Sequence, residues 1–462
     1  MYSVKDLYKN YELYANQKIC INGWARNCRF QKKLFFCDLS DGSFAKELQV
    51  VYKDVQKTYF NEIKDKLQVG VSLYLEGHLI ITPQASKPFE LLADKIVILG
   101  LNYESYPIQP KKHSRAFLRQ IAHLRLRTKL FGVVFRIRNA VSLSIHDFFQ
   151  KEGFIWAHTP IITTSDGEGA GELFQVTTLN LNKIPLDQNQ KVDYNKDFFG
   201  RPTFLTVTGQ LEGEAMALAF KKIYTFGPTF RAEKSHTARH ISEFWMIEPE
   251  MAFCDLQEDM KLAEKMIKYV IQTCLRTNRE DFLFLEQNIE TNLIQRLEQV
   301  ANIKEFKQIR YKEAIDILLT SKSDFDNKPV YGLDLSTEHE KFLTNFFGEP
   351  IFIIDWPIDI KAFYMKNNSD NQTVAAMDLL VPKIGELLGG SQREDNLQIL
   401  QQKMKKFNIS PEELEWYLDL RRFGGCIHSG FGIGFERLLV YLTGLDNVRD
   451  VIAFPRTPKK AC

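Results

Sequence analysis

The feature that most constrains the fold is a change of hydrophobic period near residue 102. Between residues 18 and 100 the apolar residues fall in short β-rich runs, "KICINGWARNCRF", "KLFFCDLSDG", "ELQVVY", "SLYLEGHLI" and "FELLADKIVIL", punctuated by Gly, Pro and Asp-Gly turns. Closely spaced short strands predict a small all-β barrel. The stretch "NYESYPIQPKK", Asn102 to Lys112, is polar and proline-bearing and reads as a linker. Beyond it, in "LFGVVFRIRNAVSLSIHDFFQKEG", apolar residues recur three and four apart until Gly153 supplies a stop, which is the text of a helix. A chain of 462 residues exceeds what one core supports. We therefore expect a barrel domain over 1–101, a hinge over 102–128, and a larger domain over 129–462 with a helical insertion around 256–345. Strand-like text from Phe204 to Phe253, at "PIFIIDWP" and at "HSGFGIG" is interrupted irregularly by helices. That order favours an α+β domain, an antiparallel sheet flanked by helices, over a regular βαβ succession.

Composition removes several classes. With 44% hydrophobic and 26% charged residues the chain is of ordinary globular type. A net charge of +2 does not announce nucleic acid, although a balanced total can hide a basic face. Seven cysteines, odd in number and without a CxxC pair, argue against a disulfide framework or zinc ribbon and for reduced thiols. The start, "MYSVKDLYKN", has no apolar signal core, and no uncharged run approaches membrane-spanning length, so a cytoplasmic chain is expected. No GxxxxGK loop is present, and Gly430, Gly432 and Gly434 are spaced GxGxG ahead of a helix, which suits close strand packing better than a dinucleotide fold.

Two charged constellations resist a bland reading. "GPTFRAEKSHTARHISEFWMIEPE", Gly227 to Glu250, sets Arg231, Glu233, Glu243 and Glu248 among residues that leave water. A buried charge costs several kcal/mol unless it is paired, so partners or a polyionic ligand are implied. His236 and His240 are four apart but lie in polar text without the HExxH glutamate, and read as a charged loop. Asp378 and Glu386 flank "LLVPKIG", and Arg393 follows through "LLGGSQ", whose glycines let backbone approach a ligand. Two carboxylates at one site suit Mg2+ held jointly with phosphate oxygens.

"EGFIWAHTPII", "FRAEKSHTARHISEFWMIEPE" and "GFGIGFERLLVYL" resemble the three ordered signature motifs of class II aminoacyl-tRNA synthetases, with Pro160, Arg231 and the Gly432, Gly434, Glu436, Arg437 set in the marked positions. The barrel ahead of them is similar to the anticodon-binding OB-fold of the aspartyl, asparaginyl and lysyl subgroup. "EGAGELFQVTT", "FYMKNN", "AAMDLLVPKIGELLGGSQRED", "YLDLRRFG" and "NVRDVIAFPRTP" are similar to the asparaginyl branch.

The resemblance implies ATP and Mg2+ as cofactors, L-asparagine and tRNA(Asn) as substrates, and a homodimer formed around Pro160. It places Arg231 on the α-phosphate, Phe244 and Arg437 on the two faces of adenine, Glu233 at the adenine edge, and Asp378 and Glu386 on the metal. Glu168, Gln210 and Glu248 match positions that grip the α-ammonium group, and Arg393 the position that meets the side-chain oxygen. Aspartyl members carry a lysine three residues after the position of Gln210, where this chain has Gly213. An asparagine amide needs an acceptor for its NH2 instead, and Glu212 and Glu243 are the candidates. Phe36, Gln49 and Glu90 match anticodon-reading positions, and the loop from His236 to Arg239 faces the acceptor stem. The competing readings are an aspartyl enzyme, possibly non-discriminating, an idle tRNA-binding paralogue, and a tRNA-independent asparagine synthetase.

Overall fold

The computed structural model describes residues 1–31, 34–53, 58–164, 172–234 and 237–461. The chain divides into two compact units, Met1–Asn139 with Asn278–Thr291, and Ala140–Thr277 with Asn292–Cys462.

In the first unit, β1 (Lys18–Gln31), β2 (Leu34–Ser40), β3 (Leu48–Tyr52), β4 (Ser72–Ile81) and β5 (Phe89–Gly100) close a barrel in the order β1-β2-β3-β5-β4. The alternation that predicted strands also decides the faces. Along β4, Leu73, Leu75 and Leu79 point inward while Tyr74, Glu76 and His78 are half-exposed. The helix Val4–Asn10 opens with a capping box in which Ser3 and Asp6 satisfy each other's backbone N–H groups, and it presses Val4 and Leu7 into the barrel core. Part of the expected hinge is helical, at Arg115–Gln120 and Ala122–Arg125.

The helix predicted after the hinge runs Lys129–Lys151, and Gly153 follows it with φ +77°. The second unit is built on an eight-stranded sheet. Its strands are β6 (Ile155–Trp156), β10 (Lys222–Phe230), β11 (Glu243–Ala252), β12 (Lys307–Arg310), β13 (Ile351–Pro357), β14 (Thr373–Val381), β15 (Gly385–Gln392) and β16 (His428–Gly434), with β7 (Ile162–Thr163), β8 (Gln175–Val176) and β9 (Thr203–Leu205) forming a small separate sheet. The spatial order is β12-β13-β14-β15-β16-β11-β10-β6; the inner pairings are antiparallel, and only β12–β13 and β10–β6 at the two edges are parallel. The helix Leu256–Thr277 covers the sheet with a stripe of Met260, Ala263, Ile267, Val270 and Cys274 at three- and four-residue spacing. The expected insertion contains this helix and four more, the last being Thr337–Phe347, together with β12.

One buried polar knot ties the sheet to its helices. Glu214, fully buried on the helix Gln210–Phe220, accepts hydrogen bonds from Tyr417 Oη at 2.9 and 2.8 Å and from Arg421 Nη2 at 2.8 Å. His428 Nε2 lies 2.9 Å from the same carboxylate, and its Nδ1 is 2.8 Å from the Cys426 carbonyl. Burial alone pushes the Glu214 carboxyl up, but the Arg421 charge and the hydrogen bond and charge of His428 more than reverse this and hold it below the usual range. A depressed folded value means the contribution is present above the unfolded carboxylate value of ~4.3 and is lost only as pH falls through the folded one. Removing one partner of such a pair strands the other charge, so Glu214→Ala is expected to cost roughly 3–5 kcal/mol, and Glu214→Gln less. Urea denaturation at pH 7 measures both, and a Glu214→Ala midpoint equal to wild type would refute the knot's structural role.

Candidate active site

Two adjoining cavities open on one face of the large sheet. The first, about 200 Å³, is lined by Arg231, Glu233, Arg239, His240, Phe244, Glu386, Arg437 and two glycines of β16, Gly432 and Gly434. The second, about 240 Å³, is lined by Gln210, Gly213, Glu248, Glu250, Tyr364, Asp378, Gly389 and Arg393. Arg231, Met246, Glu386 and Gly432 line both.

Strand periodicity explains who is present. On β11 the residues Phe244, Met246, Glu248 and Glu250 alternate onto the cavity face, while Glu243 and Trp245 alternate onto the other. Gly430, Gly432 and Gly434 occupy the facing strand β16 at the same period. Helical periodicity decides similarly on Gln210–Phe220. Gly213 and Glu214 lie three and four residues after Gln210 and share its face, and Gln210 Nε2 donates to Glu214 Oε1 at 3.1 Å. Glu212, two residues on, turns away from that face. Glu212 and Glu243, the expected acceptors for an amide, thus line neither cavity.

Arg231 has its guanidinium carbon 5.6 Å from the Phe244 ring centroid. Arg437 Nη1 donates to the Glu386 carbonyl at 3.2 Å and pairs with Glu386 Oε2 at 3.2 Å. Its neighbour Glu436 is buried and accepts the Trp245 backbone N–H at 3.0 Å, fixing β11 from the side of the helix Phe435–Thr443. Glu233 faces His240 Nε2 at 3.7 Å. Glu168 and His236 lie outside the described residues.

In the second cavity Glu248 accepts from Thr208 Oγ1, from the Gly209 N–H at 3.0 Å and from Thr225 Oγ1 at 2.9 Å. Arg393 is buried and bidentate on Glu250, Nε to Oε1 at 3.0 Å and Nη2 to Oε2 at 2.8 Å, with Nη1 donating to Ser391 Oγ at 2.8 Å. A guanidinium carries five N–H donors, so donors remain for a ligand. Glu214, Glu250 and His428 have ligand atoms within 4.8 Å of one another, a metal-like spacing. Arg393 and Arg421 already supply cations to these carboxylates, so that cluster needs no ion.

Asp378 and Glu386 are different. A Cβ at Gly389 would stand 3.1 Å from Asp378 Oδ1 and 3.8 Å from Glu386 Oε1, so the glycine leaves an open cradle between the two carboxylates. Lys361 Nζ, 2.8 Å from Asp378, is the nearest cation to that residue. Burial pushes the Asp378 carboxyl up to about 6, with Lys361 opposing and Glu386 adding to the rise. Burial also raises Glu386, but Arg437 and Lys361 more than reverse it. Two neighbouring carboxylates around an open point, one of them destabilised by burial, fit a hard divalent cation.

On the barrel, Phe36 and Gln49 project from the outer face, because Phe35, Cys37 and Leu39 fill the core; Gln49 Nε2 donates to Glu90 Oε2 at 3.1 Å. The structure thus brings the three predicted barrel residues to one surface. It also brings Arg231, Glu233, Arg239, Phe244, Glu386 and Arg437 to the first cavity, and Gln210, Glu248, Asp378 and Arg393 to the second. Residues 114–458 match the family model "tRNA synthetases class II (D, K and N)", and residues 19–99 match "OB-fold nucleic acid binding domain". The chain is 59% identical to an asparagine–tRNA ligase of Phytoplasma australiense, over 98% of this chain and 99% of that one. It is 52% identical to the corresponding ligase of Acholeplasma laidlawii, over 99% and 98%. Among solved structures, asparaginyl-tRNA synthetase from Pyrococcus horikoshii complexed with asparaginyl-adenylate superposes with a TM-score of 0.85 at 30% identity, covering 97% of this chain and 96% of that one. Its sequence motifs, its barrel and sheet, and the full-length identity agree: the chain belongs to the class II tRNA synthetases of the aspartyl, lysyl and asparaginyl group, in the asparagine–tRNA ligase branch.

Proposed function

We propose that this chain activates L-asparagine with ATP to asparaginyl-adenylate and transfers it to the 3′ end of tRNA(Asn). The observation that carries the reading is that Arg231 lines both cavities. If nucleotide fills the first and amino acid the second, the atom the two substrates come to share is the α-phosphorus, and the always-charged planar guanidinium stands at that junction. The amino-acid carboxylate attacks this phosphorus, pyrophosphate leaves, and the tRNA ribose hydroxyl then displaces AMP. Little covalent work falls to the protein; positioning and charge carry the rate.

In the first cavity Phe244 and Arg437 sandwich adenine and Glu233 orients its edge. Asp378 and Glu386 would hold Mg2+, which supplies positive charge to the phosphate oxygens. In the second, Gln210 and Glu248, with Glu168, grip the α-ammonium group. Arg393 donates to the side-chain oxygen, and the acceptor for the amide NH2 is Glu250, since Glu212 and Glu243 turn away. An aspartate side chain would instead set a carboxylate against Glu250, with Gly213 providing no second cation. Phe36, Gln49 and Glu90 read splayed anticodon bases by stacking and edge hydrogen bonds. Arg239 and His236 belong to the loop that meets the acceptor end.

A homodimer is supported by apolar surface beside Pro160, where Trp156 on the edge strand β6 is 59% exposed and Trp245 37%. Among the described residues no helix is long and apolar enough to cross a membrane, in keeping with a cytoplasmic enzyme.

Pyrophosphate exchange into ATP tests the reading: it is expected with asparagine and not with aspartate. Exchange with aspartate alone, or with neither, overturns it. Glu250→Gln is expected to lower kcat/KM for asparagine about 100-fold and to narrow the preference over aspartate, because a site built on a specific hydrogen bond loses its discrimination with the acceptor. Unchanged selectivity would remove Glu250 from the role. Trp156→Glu is expected to shift sedimentation from dimer to monomer.

A further inference from the structure

The helix Thr337–Phe347 ends the stretch for which the reading above gives no task, yet its first turn holds two residues that line the first cavity, Arg239 and Glu386. Arg239, from the loop between β10 and β11, donates Nη1 to Thr337 Oγ1 at 2.8 Å and pairs with Glu340 Oε2 at 3.3 Å. The same Glu340 oxygen accepts the backbone N–H of Glu386 at 3.1 Å. One buried carboxylate oxygen therefore joins the loop arginine to the start of β15, where Glu386 stands between the two cavities.

Gly385 makes this approach possible. Its φ is +85°, and a Cβ there would collide with Glu340 Oε2 and stand 3.1 Å from Arg239 Nη2. That Nη2 is buried and has no hydrogen-bond partner among the described residues, although Arg239 lines the cavity. A buried unpaired guanidinium nitrogen costs free energy that an incoming anion recovers. The loop is held from its other flank by the Val448 N–H on the Ala238 carbonyl at 3.0 Å and the Ser242 N–H on the Arg456 carbonyl at 2.8 Å. Glu340 and Thr337 are what fix the side chain.

We infer that Glu340, with Thr337, is a positioning residue for the nucleotide: it sets Arg239 and Glu386 in one geometry, so that the helical insertion shapes the phosphate end of the ATP site. The inference rests on the first cavity being the nucleotide site. Nothing in it depends on which amino acid is activated.

ATP binding measured by titration calorimetry on the full-length protein, without amino acid, tests it directly. Glu340→Ala is expected to weaken ATP about tenfold, the loss of a charge-assisted contact, and Thr337→Val less. In asparagine-dependent exchange KM for ATP should rise by a similar factor while KM for asparagine stays within about twofold. In the double variant Arg239→Ala/Glu340→Ala the effects should not add, because both act through one contact. Glu340→Gln, which keeps an acceptor for the Glu386 N–H, should recover part of the loss. An unchanged ATP affinity in Glu340→Ala, an equal rise in both KM values, or additive effects in the double variant would overturn the inference. If Glu340→Ala does not fold, Thr337→Val carries the same test, and unaltered ATP binding there overturns it. Wild-type exchange with the wrong amino acid would instead defeat the proposed substrate and leave the ATP result to decide this inference.

Discussion

Charge that is buried and paired is the constraint on which the rest of this structure depends. At the floor of the second cavity Arg393 is locked on Glu250, and behind it Arg421 and His428 are locked on Glu214, all out of water. Isolated, each of these groups would cost several kcal/mol to bury. Paired, they form a floor whose donors and acceptors cannot wander, because each hydrogen bond removed strands a charge. The proposed discrimination of an amide from a carboxylate at this cavity would need that stiffness, since the two side chains differ in hydrogen-bond polarity and charge far more than in shape.

The first cavity is organised differently. Its groups are partly open: Arg437 and Glu386 retain roughly a third of their side-chain exposure, and Glu386 also borders the second cavity, where burial pushes Asp378 up to about 6. On the proposed reading a triphosphate, with a divalent ion, would complete the pairing. On that reading the two cavities divide the labour between a fully paired floor for a small neutral side chain and an incomplete set of charges for a polyanion, with Arg231 lining both.

Much of this was legible in the sequence. The barrel strands, the helix ending before Gly153, and the motif residues Arg231, Phe244, Glu386, Arg393 and Arg437 followed from period, turn chemistry and resemblance. The proposed amide acceptor is less direct. Charge and neighbourhood single out Glu212 and Glu243, whereas strand alternation with Phe244 and Glu248 sets Glu250 on the cavity face, and the four-residue step from Gln210 sets Glu214 beside Gln210. That signal was present in the chain but depended on knowing where the strand and the helix begin. The contact between Arg239 and Glu340 had no local signal, because 101 residues separate the partners.

The sequence by itself determined the two architectures and the inventory of charges, because hydrophobic period and turn residues act over a few positions. Only the tertiary structure decided which charges meet. Glu214 reaches Arg421 and His428 across more than 200 residues, Glu250 reaches Arg393 across 143, and Gly389 opens the space between two carboxylates on neighbouring strands. Pairing energies fall off within a few ångströms, and separation in space is set by strand register and helix packing, which no short window of sequence contains.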